Sequence, residues 1–257
     1  MHREIYQEIL RQNNEGQGAA VATVIVTSGS TPREEGAKML VRDDGSIMGT
    51  IGGGSIEKQV IQEALAVIRS GKPKKLAYRL QAGEELGMIC GGDIEVFVEP
   101  ILVAPHLYIF GGGHIALPLV KMAHIVGFKI IVIDDRSEFA NPVRFPEAEQ
   151  SIVSDMTAAF EQLTVDHSSY VVIITHGHKC DEAALAGALK TPAKYIGMIG
   201  SKEKNRAVFS RLLSKGYTKE DLDRVHAPIG LKIMAQTPEE IAVSIIAELV
   251  QVRRSNR

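Results

Sequence analysis

Leu107-Tyr108-Ile109-Phe110-Gly111-Gly112-Gly113-His114-Ile115-Ala116 decides how this 257-residue chain is read. A short apolar strand runs into three glycines, and a helix pattern follows. The arrangement is Gly-x-Gly-x-x-Ala. The first glycine permits a tight turn, the second lets a pyrophosphate approach the backbone, and the small Ala116 lets the helix pack on the sheet. The helix end offers free N–H groups and a positive dipole end to an anion. Gly111, Gly113 and His114 are therefore candidate nucleotide-binding residues. The next apolar run, Phe128 to Ile133, ends in Asp134-Asp135-Arg136. An acid about 20 residues after the glycines suits a ribose hydroxyl. Arg136 suits a 2′-phosphate or an ion pair with Asp134 or Asp135, so NAD and NADP both stay open.

From this point the chain alternates strand and helix. Strands are expected at 107–110, 128–133, 151–153, 170–175 and 194–199, and helices near 114–126, 156–163, 181–190, 201–215 and 238–253. Such alternation implies right-handed crossovers and a parallel sheet. Tyr170 to Thr175 is apolar on both faces, as a central parallel strand requires. Thr237, Pro238 and Glu240 spell a helix start with a capping box.

Upstream, the pattern is helix, strands, helix, strands. A helix is expected over 2–13, a strand over 19–26, and a hairpin turning at Asp43-Asp44-Gly45. A helix over 56–70 is stopped by Gly71 and Pro73, and strands follow at 75–80 and 94–99. Glu99-Pro100 and Ala104-Pro105-His106 interrupt the pattern. The expected fold is therefore α/β, with a mixed N-terminal domain over 1–103 and a Rossmann-like doubly wound domain over 104–257.

Composition narrows the function. A hydrophobic fraction of 45% supports a real core, and a net charge of −2 gives no basic field for nucleic acid. Aromatics are 5% with no Trp, a poor base for stacking single strands. No apolar run reaches the roughly 20 residues of a membrane span. The start reads as an amphipathic helix and not as a signal peptide. The two cysteines, Cys90 and Cys180, make no disulfide framework. A cytoplasmic protein with reduced thiols is expected.

Four further stretches carry chemistry. Gly49-Thr50-Ile51-Gly52-Gly53-Gly54-Ser55 lies between strand and helix; Gly52, Gly53, Gly54 and Ser55 form either an anion nest or a tight turn with Ser55 as cap. It lacks the Lys-Ser/Thr of a P-loop. Ser30-Thr31-Pro32-Arg33 offers Arg33 to a phosphate or carboxylate, or is a surface loop. Cys90-Gly91-Gly92 reads as a thiol for a soft metal or a persulfide, or as a small buried hydrophobe. Thr175-His176-Gly177-His178-Lys179-Cys180-Asp181 follows the central strand, where ligands collect. His176, His178, the thiol of Cys180 and Asp181 suit a metal or proton transfer, at a spacing that matches no closed zinc site, or the loop is polar with Asp181 capping a helix. Ser201 and Lys202 open a later helix and suit an anion, or a solvated face.

Taken in order, these motifs resemble the XdhC/CoxI family, accessory proteins of xanthine dehydrogenase and related molybdenum hydroxylases. The resemblance rests on Gly29 to Arg33, Gly49 to Ser55, Cys90 to Gly92, Gly111 to His114, Asp134 to Arg136, Thr175 to His178, Ile199 to Lys202, Pro228 to Leu231 and Thr237 to Ala242. It covers nearly the whole chain. It implies a cofactor chaperone more than a catalyst. Such a protein would bind molybdenum cofactor (molybdopterin), support its sulfuration with a cysteine desulfurase, and insert it into an apo molybdenum hydroxylase. Cys90 would be the molybdenum ligand or sulfur carrier, and a homodimer is expected. The alternative is an NAD(P)-dependent oxidoreductase with His176 or His178 as proton donor. A functional cleft between the two parts is also expected.

Overall fold

The computed structural model describes residues 2–29, 31–80, 92–101 and 103–255. The chain divides into two compact units, one ending at Ala104 and the other spanning Pro105–Ser255.

The first unit is built on a five-stranded antiparallel sheet. Its strands are β1 (Ala19–Gly29), β2 (Lys38–Arg42), β3 (Ile47–Gly49), β4 (Lys74–Leu80) and β5 (Gly92–Ile101), in the order β3-β2-β1-β5-β4. Period-two alternation decides which side chain goes where. Ala20, Ala22 and Val24 of β1 face helix α2 (Gly54–Ser70), which buries Ile56, Val60, Ala64 and Val67. Ala19 and Val21 face the other way, toward Ile5 of helix α1 (His2–Glu15). The α2 stripe at i, i+4, i+8 and i+11 is the helical period that the sequence displays.

Helix α1 is pinned by a buried carboxylate. Glu8 accepts hydrogen bonds from Arg11 Nη2 at 2.6 Å, Arg42 Nε at 2.8 Å and Gln12 Nε2 at 3.0 Å. The Arg11 and Arg42 guanidiniums, which outweigh burial, hold its carboxyl down at about 2. Its contribution to stability is complete above the unfolded carboxyl value of about 4.3 and is lost as pH falls toward the folded value. Glu8→Gln is expected to cost about 2 kcal/mol at neutral pH. Chemical denaturation at pH 7 and pH 3 checks this: the gap between native and variant should narrow in acid.

The second unit is a six-stranded parallel sheet. Its strands are β6 (His106–Phe110), β7 (Lys129–Asp134), β8 (Gln150–Val153), β9 (Tyr170–Ile173), β10 (Tyr195–Met198) and β11 (Val225–His226), in the order β11-β10-β9-β6-β7-β8. Counted within this unit, the order is 3-2-1-4-5-6, that of a doubly wound dinucleotide-binding sheet. Helices α3 (Ala116–Ile125) and α7 (Pro238–Ser255) cover one face, packing on Leu107, Ile109, Tyr170 and Val172. Helices α4 (His178–Leu189) and α5 (Lys202–Ser214) cover the other, on Tyr108, Phe110, Val171 and Ile173. Both faces are buried, which explains the continuous apolar runs. The fold class is thus a mixed α/β unit followed by a Rossmann-type unit.

Four details differ from the sequence reading. The stretch 156–163 forms only a 3-10 helix at Ala158–Gln162, its start held by Asp155 Oδ1 accepting from Thr157 N and Ala158 N. A one-turn helix α6 (Lys219–Asp223) and the two-residue edge strand β11 are additional; both are too short to show a period in sequence. The central strand β9 stops at Ile173 rather than Thr175. Helix α4 begins at His178, not Asp181, so Asp181 lies inside the first turn instead of capping it. The start of α7 carries the expected reciprocal cap: Glu240 N donates to Thr237 Oγ1 at 3.2 Å, and Thr237 N to Glu240 Oε2 at 3.1 Å.

Candidate functional site

In the first unit, the turn between β3 and α2 places three successive glycines at positive φ: Gly52 at 141°, Gly53 at 83° and Gly54 at 70°. Only residues without a Cβ adopt such a run at little cost. The entry to the turn is satisfied internally. Ile51 N donates to Glu57 Oε1 at 3.1 Å, the Thr50 hydroxyl donates to the same oxygen, and Gly52 N donates to Thr50 Oγ1 at 3.1 Å. A Cβ on Gly52 would lie 2.6 Å from Pro32 Cγ, so this glycine seats the loop that carries Arg33. Arg33 itself is exposed.

The second half of the turn is open. A Cβ on Gly53 would meet nothing within 4 Å. Ser55 does not cap the helix: the cap position is Gly53, with no side-chain hydrogen bond, and Ser55 Oγ is shut off from solvent without a partner. The first N–H groups of α2 have no acceptor within the helix. Cys90, expected as the reactive thiol and metal ligand, lies outside the described residues.

In the second unit, the chemistry gathers at the carboxyl ends of β6, β7, β9 and β10. The glycine turn after β6 is tightly held. Gly111 N donates to Ile133 O at 2.7 Å, and a Cβ on Gly111, whose φ is 110°, would sit 2.4 Å from Ile174 O. Gly112 N donates to Asp134 Oδ2 at 2.8 Å, and Arg144 Nε donates to Gly112 O at 3.0 Å. A Cβ on Gly113 would meet nothing within 4 Å, and His114 is exposed beside it.

This geometry gives Asp134 a set of internal partners. Its side chain is fully buried and accepts from Gly112 N, from Arg136 N at 3.1 Å, from Arg136 Nε at 2.9 Å and from Arg136 Nη2 at 3.1 Å. Burial alone would raise its pKa, but these bonds outweigh it and hold the carboxyl below the usual range. Asp134 is a brace between the glycine turn and Arg136. Asp135 is the exposed acid of the pair.

Asp135 meets two residues of the histidine loop. His176 Nδ1 lies 3.9 Å from Asp135 Oδ1, and His176 Nε2 lies 4.0 Å from Cys180 Sγ. One ligand atom from each of Asp135, His176 and Cys180 falls within 4.8 Å of the others. Burial first, then the Asp135, Asp181, Asp134 and Asp155 carboxylates, push the Cys180 thiol up. Beneath them, buried Asp181 accepts from Thr175 Oγ1 at 2.6 Å and pairs with Lys204 Nζ at 2.7 Å. Ser201, expected as an anion ligand, caps α5 by accepting from Lys204 N at 3.2 Å, and Lys202 is exposed on the first turn. Helix α4 starts at His178.

Sequence reasoning brings His176 and Cys180 together but misses Asp135, because the members come from strands that are not neighbours. In the order β9-β6-β7, Asp135 follows β7 and His176 follows β9. The strand between them ends in glycines, so no side chain separates the two. A carboxylate and an imidazole flanking a glycine turn are the available signal.

Residues 107–249 match the family model described as the XdhC Rossmann domain, and residues 13–79 match that described as the XdhC and CoxI family. YqeB of Escherichia coli (strain K12), an uncharacterized protein, is 35% identical over 98% of this chain and 46% of its own length. This chain thus spans about half of that relative. A probable xanthine dehydrogenase component of Bacillus subtilis (strain 168) is 24% identical over 92% of this chain and 93% of that protein. The molybdenum cofactor insertion chaperone PaoD of Escherichia coli (strain K12) is 24% identical over 98% of this chain and 89% of that protein. Among solved structures, a chain described as a xanthine dehydrogenase from Bacillus halodurans is similar at a TM-score of 0.54 and 26% identity, covering 98% of this chain and 96% of that one.

Proposed function

The chain belongs to the XdhC and CoxI family, and from that premise we propose that it binds molybdenum cofactor and assists its insertion into a molybdenum hydroxylase such as xanthine dehydrogenase. The observation that carries this reading is the open half of the first unit's glycine turn: Gly53 with free space around it, and Ser55 Oγ buried without a partner. A buried hydroxyl with no acceptor or donor is uncommon and invites a ligand. Beside the unsatisfied amides of α2, it fits the terminal phosphate of a pyranopterin. Arg33, on the loop seated over Gly52, is suited to the same phosphate or to a pterin carbonyl.

When bound, the cofactor supplies a dithiolene-held molybdenum. The roles of this chain's residues are then to bind and to shield. Gly52, Gly53, Gly54, Ser55 and Arg33 hold the phosphate end. Cys90 is proposed as the thiol for the metal end or for sulfur received from a cysteine desulfurase. His176 and His178 are proposed as proton carriers. A cytoplasmic homodimer completes the reading. No helix among the described residues is long and apolar enough to cross a membrane.

The test is fluorescence of oxidised pterin released from protein produced with molybdate. Native protein is expected to retain pterin, and Ser55→Ala to retain about tenfold less, as loss of a hydrogen bond to a charged group implies. Native protein that carries no pterin overturns the reading.

A nucleotide site in the second unit is a second reading, favoured by open Gly113 and exposed Asp135 at the switch point of the sheet. Against it, one amide of the glycine turn, Gly112 N, is already taken by Asp134. Titration with NAD and NADP separates these, and binding is expected to be absent or weaker than for a free turn.

A further inference from the structure

We propose that Asp135, His176 and Cys180 form a three-ligand site for a divalent transition ion of borderline softness, with Zn2+ as its type. The site requires no pterin, although it shares His176 with the cofactor reading.

The donor set is one carboxylate, one imidazole and one thiol, the mixture that zinc accepts. The spacing is close to what an ion needs. Tetrahedral bonds of about 2.3 Å to sulfur and about 2.0 Å to nitrogen and oxygen place the ligand atoms roughly 3.3–3.6 Å apart. Here His176 Nδ1 lies 3.9 Å from Asp135 Oδ1 and His176 Nε2 lies 4.0 Å from Cys180 Sγ, and with one atom taken from each residue the three all fall within 4.8 Å of one another. Rotation of the exposed Asp135 and His176 side chains toward Cys180 closes the set.

Charge also balances. A divalent ion against Asp135 and a Cys180 thiolate leaves no net charge at the centre, with the Cys180 proton released to solvent as the ion binds. The neighbouring Asp134 carboxylate is already compensated by Arg136. Arg136 Nε lies 3.7 Å from Asp135 Oδ1, but its shorter bond is to Asp134 at 2.9 Å, so Asp135 is not fully committed.

The backbone supports the arrangement. Asp135 stands at the end of β7, and His176 at the end of β9, on opposite sides of the side-chain-free turn after β6. Cys180 is held in the first turn of α4, whose next residue, Asp181, is locked by Thr175 and Lys204. Asp135 and His176 are exposed, so further coordination positions face solvent, as in zinc sites that take a water or substrate.

The experiment uses the full chain, stripped with chelator under reducing conditions and titrated with Zn2+ against a chromophoric competitor, then with Co2+. One ion per chain and a sulfur-to-cobalt charge-transfer band are expected. The band should vanish in Cys180→Ser and persist in Cys90→Ser. Asp135→Asn and His176→Ala should each weaken Zn2+ at least about tenfold, with unchanged circular dichroism. No binding by the native chain overturns the proposal. So does a band that follows Cys90, or affinity within about twofold of native in Cys180→Ser.

Discussion

Gly112→Ala is expected to unfold the second unit or leave it insoluble. A Cβ at this position would lie 1.8 Å from Phe139 O and 2.8 Å from Phe139 C, which is backbone and not a flexible side-chain end. The 136–145 segment cannot retreat cheaply. Phe139 N and Ala140 N donate to Arg136 O, at 3.0 and 3.2 Å; Phe145 is buried in the core; and the Arg136 guanidinium stacks 3.7 Å over the Phe139 ring. Displacing it also breaks the Arg144 bond to Gly112 O. Overpacking plus lost hydrogen bonds should cost about 4 kcal/mol or more, a large part of a domain's stability. Gly113→Ala is the control, since a Cβ there meets nothing within 4 Å and should cost about 1 kcal/mol or less. Urea unfolding followed by circular dichroism checks both. Equal midpoints for Gly112→Ala and native protein would remove the clamp from the account.

The second large effect is expected from Asp134. Removing its carboxylate orphans Gly112 N and leaves Arg136 without its nearest partner. Breaking a buried pair by deleting one member costs about 3–5 kcal/mol. Asp134→Asn keeps the shape but turns an amide NH2 toward donors, so it should lose a substantial part of that. The folded carboxyl is held below its unfolded value of about 3.9, so its contribution is complete above that pH and is lost as pH falls through the folded value. The stability of native protein should therefore drop more steeply below about pH 4 than that of Asp134→Asn. Parallel stability–pH curves for the two would show that the brace carries no such weight.

Much of the fold is written locally. The strands and helices around Gly111 are legible because apolar residues recur with period two or 3.6, and because glycines mark where strand yields to helix. The parallel sheet of the second unit follows from strand–helix alternation and right-handed crossovers. The motifs quoted from Gly29 to Ala242 are enough to indicate the family.

Local sequence could not rank adjacent, chemically identical residues. Asp134 and Asp135 are neighbours of the same type, yet strand alternation turns one inward to brace Gly112 and the other outward to His176 and Cys180. Ser55 reads as a helix cap from its position, but positive φ at Gly52, Gly53 and Gly54 carries the cap position to Gly53 and leaves the Ser55 hydroxyl unpartnered. The metal-ligand cluster depends on β6 lying between β7 and β9, a long-range fact of strand order. By itself the sequence determined the elements, their alternation and the glycine turns, because these rest on short-range periodicity and backbone sterics. The tertiary structure alone decided which polar groups meet, because that is set by pairing between strands far apart in the chain.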